Sequence, residues 1–78
     1  MEWLLFTQPF CHKCPKAKEL MKNYLASGKV VDCSTKEGMR LAKEHNIMQT
    51  PTLLLLKENK CITSHEEMVI AIGRLQKV

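Results

Sequence analysis

A run with no polar member, Trp3-Leu4-Leu5-Phe6, leads within a few residues into Cys11-His12-Lys13-Cys14 and then into a helical pattern, and this junction constrains the fold more than any other stretch of the chain. An apolar run without alternation, here within Glu2 to Thr7, reads as a strand buried on both faces, as at the centre of a partly parallel sheet. Beyond the cysteines, Ala17, Leu20, Met21, Tyr24 and Leu25 recur at i, i+3, i+4, i+7 and i+8 while Lys16, Lys18 and Lys22 fall elsewhere, which predicts an amphipathic helix beginning at the cysteines. Gly28 is its expected stop. Pro15 suits the first turn, where a missing N–H costs nothing and the fixed φ is already helical. A Cys11 sulfur in that turn meets unpaired backbone N–H groups and the positive end of the helix dipole, so it ionises more readily than a free thiol, and the thiolate is the nucleophile.

The pattern after Gly28 alternates in the same way. Lys29 to Cys33, with Val30-Val31, is a second strand, and Ser34 to Glu37 is an S-x-x-E capping box for a helix reaching about His45. That helix contains Gly38, and Met39, Leu41, Ala42 and His45 are the residues that can face a core. Pro51 then begins the most apolar run of the chain, Thr52 to Lys57, where a strand start tolerates a residue with no ladder donor. Glu58-Asn59-Lys60 is a turn and Cys61 to Thr63 a short return strand. Ser64 to Glu67 is a second capping box, for a helix with Met68, Ile72 and Leu75 on one stripe. The order is βαβαββα, an α/β class. No internal repeat, low-complexity stretch or linker interrupts residues 1–78, which are expected to form a single domain.

Seventy-eight residues, 45% of them hydrophobic, suffice for one small core, in the size range where cross-links or metals often help. The beginning, Met1-Glu2-Trp3-Leu4-Leu5, lacks the basic segment of a signal peptide, and its apolar run is too short for one or for a membrane span, so a cytoplasmic location is expected. Structural disulfides are rare in a reducing compartment, and a CxxC bridge closes too small a loop to restrict the unfolded chain much. A bridge between Cys11 and Cys14 is therefore expected to serve chemistry.

The order of elements, a CxxC at the first strand-to-helix junction and Thr50-Pro51 at the start of the third strand together resemble the thioredoxin superfamily, in particular its smallest members, the glutaredoxins and glutaredoxin-like redoxins. The resemblance spans essentially the whole chain and CxxC beside a βαβ pattern is its most specific part. It implies a thioredoxin-like fold: a four-stranded mixed sheet with strands one and two parallel, strands three and four an antiparallel hairpin, and helices on both faces. It implies a cis Pro51 facing the cysteines and a Thr50 backbone that pairs with the substrate chain. It further implies a disulfide oxidoreductase in which Cys11 attacks a substrate disulfide and Cys14 resolves the mixed disulfide. Phe10, His12 and Lys13 join Thr50 and Pro51 as substrate-binding candidates, and His12, Lys13 and Lys16 add positive charge favouring a Cys11 thiolate.

Departures bear on the electron donor. Dithiol glutaredoxins resemble one another in a lysine three residues before the first cysteine, a Thr-Val-Pro, and a Gly-Gly followed by an acidic or hydroxyl residue near the last helix, which hold glutathione. Here those places carry Gln8, Gln49-Thr50-Pro51 and Thr63-Ser64-His65, and Phe10 replaces the tryptophan that thioredoxins place before their first cysteine. A thioredoxin-type or other protein reductase is expected as donor ahead of glutathione, the redox disulfide is the only cofactor expected, and the substrates are disulfide-bearing proteins met by a monomer.

Other classes remain open on the residues alone. CxxC also holds copper or zinc. A copper carrier of ferredoxin-like order would run βαββαβ, against which stand the capping signal at Ser34 and Pro51. A zinc interaction module using all four cysteines would need Cys33 and Cys61, which lack paired spacing and read as buried small hydrophobes. Met21, Met39 and Met68 fall at helical positions and read as core, Trp3 as core or strand edge, and His45 and His65 as helix-end or surface residues. A net charge of +4 without a basic run or an aromatic RNA-binding motif reads as a solvated surface and excludes nucleic acid as the expected partner. Glycine-rich phosphate loops and acid-base carboxylate pairs are absent.

Overall fold

A computed structural model describes residues 2–24 and 27–75, apart from the side chain of Leu75. Its elements are β1 (Trp3–Thr7), α1 (Cys14–Lys22), β2 (Gly28–Asp32), α2 (Lys36–Glu44), β3 (Thr52–Leu55), β4 (Lys60–Ile62) and α3 (His65–Leu75). The strands form one four-stranded sheet in the order β2-β1-β3-β4. β1 runs parallel to β2 and antiparallel to β3, and β3 is antiparallel to β4. The expected βαβαββα order and mixed sheet are those observed.

The continuous apolar run of β1 is explained by its central place. Side chains alternate across a strand, so Trp3 and Leu5 enter one cluster while Leu4 and Phe6 enter another on the opposite face. The first cluster holds Ala17 and Met21 of α1, Leu53, Leu55 and Ile62 of the hairpin, and Met68 and Ile72 of α3. The second holds Val31 and Leu54, with Leu41 and Ala42 of α2 packed against it. Each fully buried Leu or Phe contributes roughly 1.5–3 kcal/mol relative to exposure, so β1 binds both layers together.

α1 is shorter than its periodicity suggested. It ends at Lys22, and Asn23 closes it by donating its backbone N–H to Leu20 and its side-chain amide to the Glu19 carbonyl, 3.4 Å away. Gly28, expected as the stop, is instead the first residue of β2, paired with Trp3, and a Cβ there would run into the Trp3 ring. The stripe Ala17, Leu20, Met21 and Tyr24 does pack on the core, while Leu25 lies outside the described residues.

α2 corrects two expectations. Its N-cap is Thr35, not Ser34: the Thr35 hydroxyl accepts from the Gly38 N–H at 2.9 Å and donates to the Asp32 carbonyl. Ser34 is engaged elsewhere, its hydroxyl and N–H both donating to the Asp32 carboxylate at 2.7 and 2.8 Å. These two bonds hold the Asp32 carboxyl below its ordinary range. Met39, expected in the core, is 49% exposed. The inward stripe is Gly38, Leu41, Ala42 and His45, spaced i, i+3, i+4, i+7, because α2 approaches the end of β2 so closely that a Cβ at Gly38 would collide with the Asp32 carbonyl oxygen. His45 lies with its ring 6.3 Å from that of Phe6.

The hairpin is displaced by a residue from its expected bounds. Asn59 takes the left-handed conformation of the turn at φ 50°, which asparagine tolerates, and Lys60 already pairs with Leu55. Cys61, expected to be buried, is exposed: it lies on β4, the edge strand farthest from β2, where it pairs with Leu54 of β3. At the start of α3, Ser64 accepts from the Glu67 N–H at 3.5 Å, as its capping signal suggested. Among the described residues no helix is long and apolar enough to cross a membrane.

Candidate active site

Topology gathers one end of the sheet. β1 and β2 are parallel and finish together, β3 starts where β1 finishes, and β4 finishes where β3 starts, as the pairs Thr7 with Asp32, Phe6 with Thr52 and Leu53 with Ile62 show. The Cys11 loop after β1, Cys33 after β2, Thr50-Pro51 before β3 and Ser64 after β4 therefore share that end.

Cys11 and Cys14 are joined by a disulfide, with Cα atoms 5.4 Å apart. Cys14, not Cys11, is the first helical residue, and Cys11 lies in the turn before α1. The reason is Pro15. A helix entered at Cys11 would need the N–H of residue 15 to reach the Cys11 carbonyl, and proline has none, so that carbonyl accepts instead from the Cys14 N–H at 3.3 Å. The two sulfurs thus differ in access: Cys14 is 2% exposed in the α1 layer, whereas Cys11 is half-buried. No acidic residue lies in the first turn of α1 and no side chain caps it, so the positive end of the helix faces the cysteine loop uncompensated. His12 and Lys13 are exposed around it. Phe10, immediately before Cys11, has left-handed backbone at φ 63° and is 99% exposed. A bulky residue held in this way stores strain, a feature that clusters at functional sites.

The Thr50-Pro51 peptide bond is cis, and Thr52 donates its hydroxyl to the Gln49 carbonyl at 2.6 Å across it. Pro51 lines a groove of about 370 Å³ together with Lys13 and Lys16 on one side and Thr63, Ser64 and His65 on the other. Through Lys13 this groove joins Pro51 to the loop that carries the cysteines, though neither cysteine lines it. A second, smaller cavity of about 140 Å³ lies beside Thr50 and is lined by Gln8, Cys33, Met48 and Gln49. Cys33 is half-buried there, and burial together with the neighbouring Asp32 charge pushes its thiol above the ordinary range. Of the residues singled out from the sequence, Lys13 and Pro51 meet in the groove, Thr50 borders the smaller cavity, and Phe10 and His12 are exposed about the disulfide.

Lys16, Ser64, His65 and Met48 were not among the residues singled out from the sequence as catalytic or substrate-binding. Lys16 reaches the groove because it sits one turn after Lys13. Ser64 and His65 do so because β4 returns to the cysteine end, which no local pattern announces. Met48, 91% exposed beside Gln49, carried no sequence signal. The four cysteines do not converge: Cys33 follows one outer strand of the sheet and Cys61 lies on the other. Among the described residues no three His, Cys, Asp or Glu side chains are placed to share a metal ion, and the observed order is not that of a ferredoxin-like copper carrier.

No family model matches this sequence. Among solved structures the chain is similar to the crystal structure of the thioredoxin-like protein BC3987, with a TM-score of 0.69 and 20% identity over 91% of this chain and 99% of that one. It is equally similar to a mutant of the same protein, with a TM-score of 0.70 and 19% identity over 91% and 97%. At such identity the likeness establishes the fold, which is thioredoxin-like.

Proposed function

We propose that this thioredoxin-like chain is a thiol-disulfide oxidoreductase of the small, glutaredoxin-like redoxin type that reduces disulfides in proteins. The observation that carries the reading is the asymmetry of the cysteine pair: a half-buried Cys11 bonded to a buried Cys14 at the uncapped start of α1, at the end of the sheet that also carries the cis Pro51. The greater exposure of Cys11 supports attack by Cys11 and resolution by Cys14.

In the reduced protein the Cys11 thiolate attacks a substrate sulfur, forming a mixed disulfide as the other substrate sulfur leaves and takes a proton. Cys14 then loses its proton and attacks the Cys11 sulfur, releasing the second substrate thiol. Two electrons pass to the substrate, and the Cys11–Cys14 disulfide is what remains. In this reading Phe10, His12 and Lys13, neighbours of Cys11 in sequence, together with Thr50 and Pro51 at the same end of the sheet, contact the substrate chain. A dithiol protein reductase restores the pair. Glutathione is the lesser candidate, since Gln8 lies not in the groove but in the cavity with Cys33, on the other side of Thr50-Pro51. A monomer in the cytoplasm fits this work.

The test follows reduction of a disulfide-bonded peptide with dithiothreitol as the recycling reductant. Cys11→Ser abolishes the acceleration over the rate with dithiothreitol alone, and Cys14→Ser, reduced and then freed of dithiothreitol, accumulates a peptide adduct on Cys11 visible by intact mass. Acceleration surviving Cys11→Ser would overturn the reading.

A further inference from the structure

The groove beside Pro51 has a chemical bias that disulfide exchange itself does not require. Lys13 and Lys16 form one wall, and the other is the start of α3, with Thr63, Ser64 and His65. Glu66 and Glu67 stand in the first turn of α3 and offset the positive end of its dipole, so the positive charge of the groove comes from Lys13 and Lys16. Glu66 is the one carboxylate in the lining. Among the described residues the ion pairs are Lys22 with Glu19 and Lys29 with Glu37, so neither Lys13 nor Lys16 is neutralised by a partner. Two lysines without an ion-pair partner, a threonine and a serine thus line, against the single carboxylate of Glu66, a space large enough for a short extended segment, one edge of which is Pro51.

We propose that this groove selects protein disulfides whose reacting cysteine is flanked by acidic residues, the flanking carboxylate lying between Lys13, Lys16 and the start of α3 while Cys11 attacks the adjacent sulfur. The inference rests on the oxidoreductase reading above and names the substrate class of that same site. Lys16 is a specificity-determining residue in this arrangement. Lys13 both recognises the carboxylate and adds charge near Cys11, and the two roles separate because a change in the thiolate alters the rate with every disulfide alike, whereas recognition alters the ratio between disulfides.

The experiment compares kcat/KM for three cystine-linked peptides of one sequence whose residues flanking cysteine are Asp, Asn or Lys, with oxidised glutathione as a small carboxylate-bearing disulfide. The Asp peptide exceeds the Asn peptide by about threefold to tenfold, the scale of two exposed charge pairs, and the Lys peptide falls below both. High salt collapses the order in the unaltered protein, a result independent of whether any variant folds. Lys16→Glu reverses the order of the Asp and Lys peptides. Equal rates for the three peptides, or an order indifferent to salt, would overturn the proposal while leaving the redox reading intact. Oxidised glutathione outrunning the Asp peptide would overturn it in favour of a small-molecule site. Failure to reduce any of the four would overturn the oxidoreductase reading itself.

Discussion

At position 38 the absence of a side chain is a packing requirement. A methyl group there meets the Asp32 carbonyl oxygen and the Thr35 hydroxyl, both held by hydrogen bonds to each other, whereas at Gly73, also within a helix, nothing lies within 4 Å of the added carbon. Gly38→Ala is therefore expected to cost about 1–3 kcal/mol by overpacking, and Gly73→Ala to gain about 0.5–1 kcal/mol by helix propensity. Urea unfolding followed by the fluorescence of the single tryptophan, the buried Trp3, measures both. Residue environment likewise separates the two free cysteines. Cys61 is exposed, while Cys33 is half-buried with its pKa raised. Iodoacetamide at neutral pH is expected to label Cys61 well before Cys33, as peptide mass would show. The sign of the linkage follows: the fold favours protonated Cys33, so this group's contribution to stability is full below the ordinary thiol pKa and is lost as pH rises and the unfolded chain ionises first.

At the scale of the element, the start of α2 shows how two adjacent hydroxyls divide their work. A reading of S-x-x-E spacing chooses Ser34, yet the cap is Thr35 because Asp32 at the end of β2 occupies the Ser34 hydroxyl and N–H. Thr35→Ala is expected to destabilise the fold by about 1 kcal/mol. Ser34→Ala is expected to leave the cap in place and let the Asp32 carboxyl rise toward its ordinary range, measurable by side-chain NMR titration. α1 carries the complementary lesson: Pro15 ends the helix on its N-terminal side and places Cys11 in the preceding turn, so the position of the accessible sulfur follows from one missing N–H.

For the whole molecule, the two clusters on either face of β1 make the sheet the common wall of both layers. Met68 is fully buried in the cluster that joins α1, α3 and the hairpin. Met68→Ala is expected to cost about 2–5 kcal/mol, and because the start of α3 is one wall of the groove, to blunt the preference for acidic peptides before it abolishes exchange at Cys11. Measuring the peptide ratio alongside urea unfolding separates the two losses.

The element order, the two-faced burial of β1, the paired cysteines at its exit and the stripe of α1 were all legible in the sequence, because periodicity and punctuation are local and each apolar face must be covered by something. What covers it is not local. The exposure of Met39 and Cys61, the strand role of Gly28 and the tight contact of Gly38 follow from which strand lies beside which, over separations that no window of sequence spans. The same holds for the groove: the tertiary fold alone, by returning β4 to the cysteine end of the sheet, sets the start of α3 opposite Lys13 and Lys16, since mutual burial of β1, β3 and β4 fixes their register and carries the loops with it.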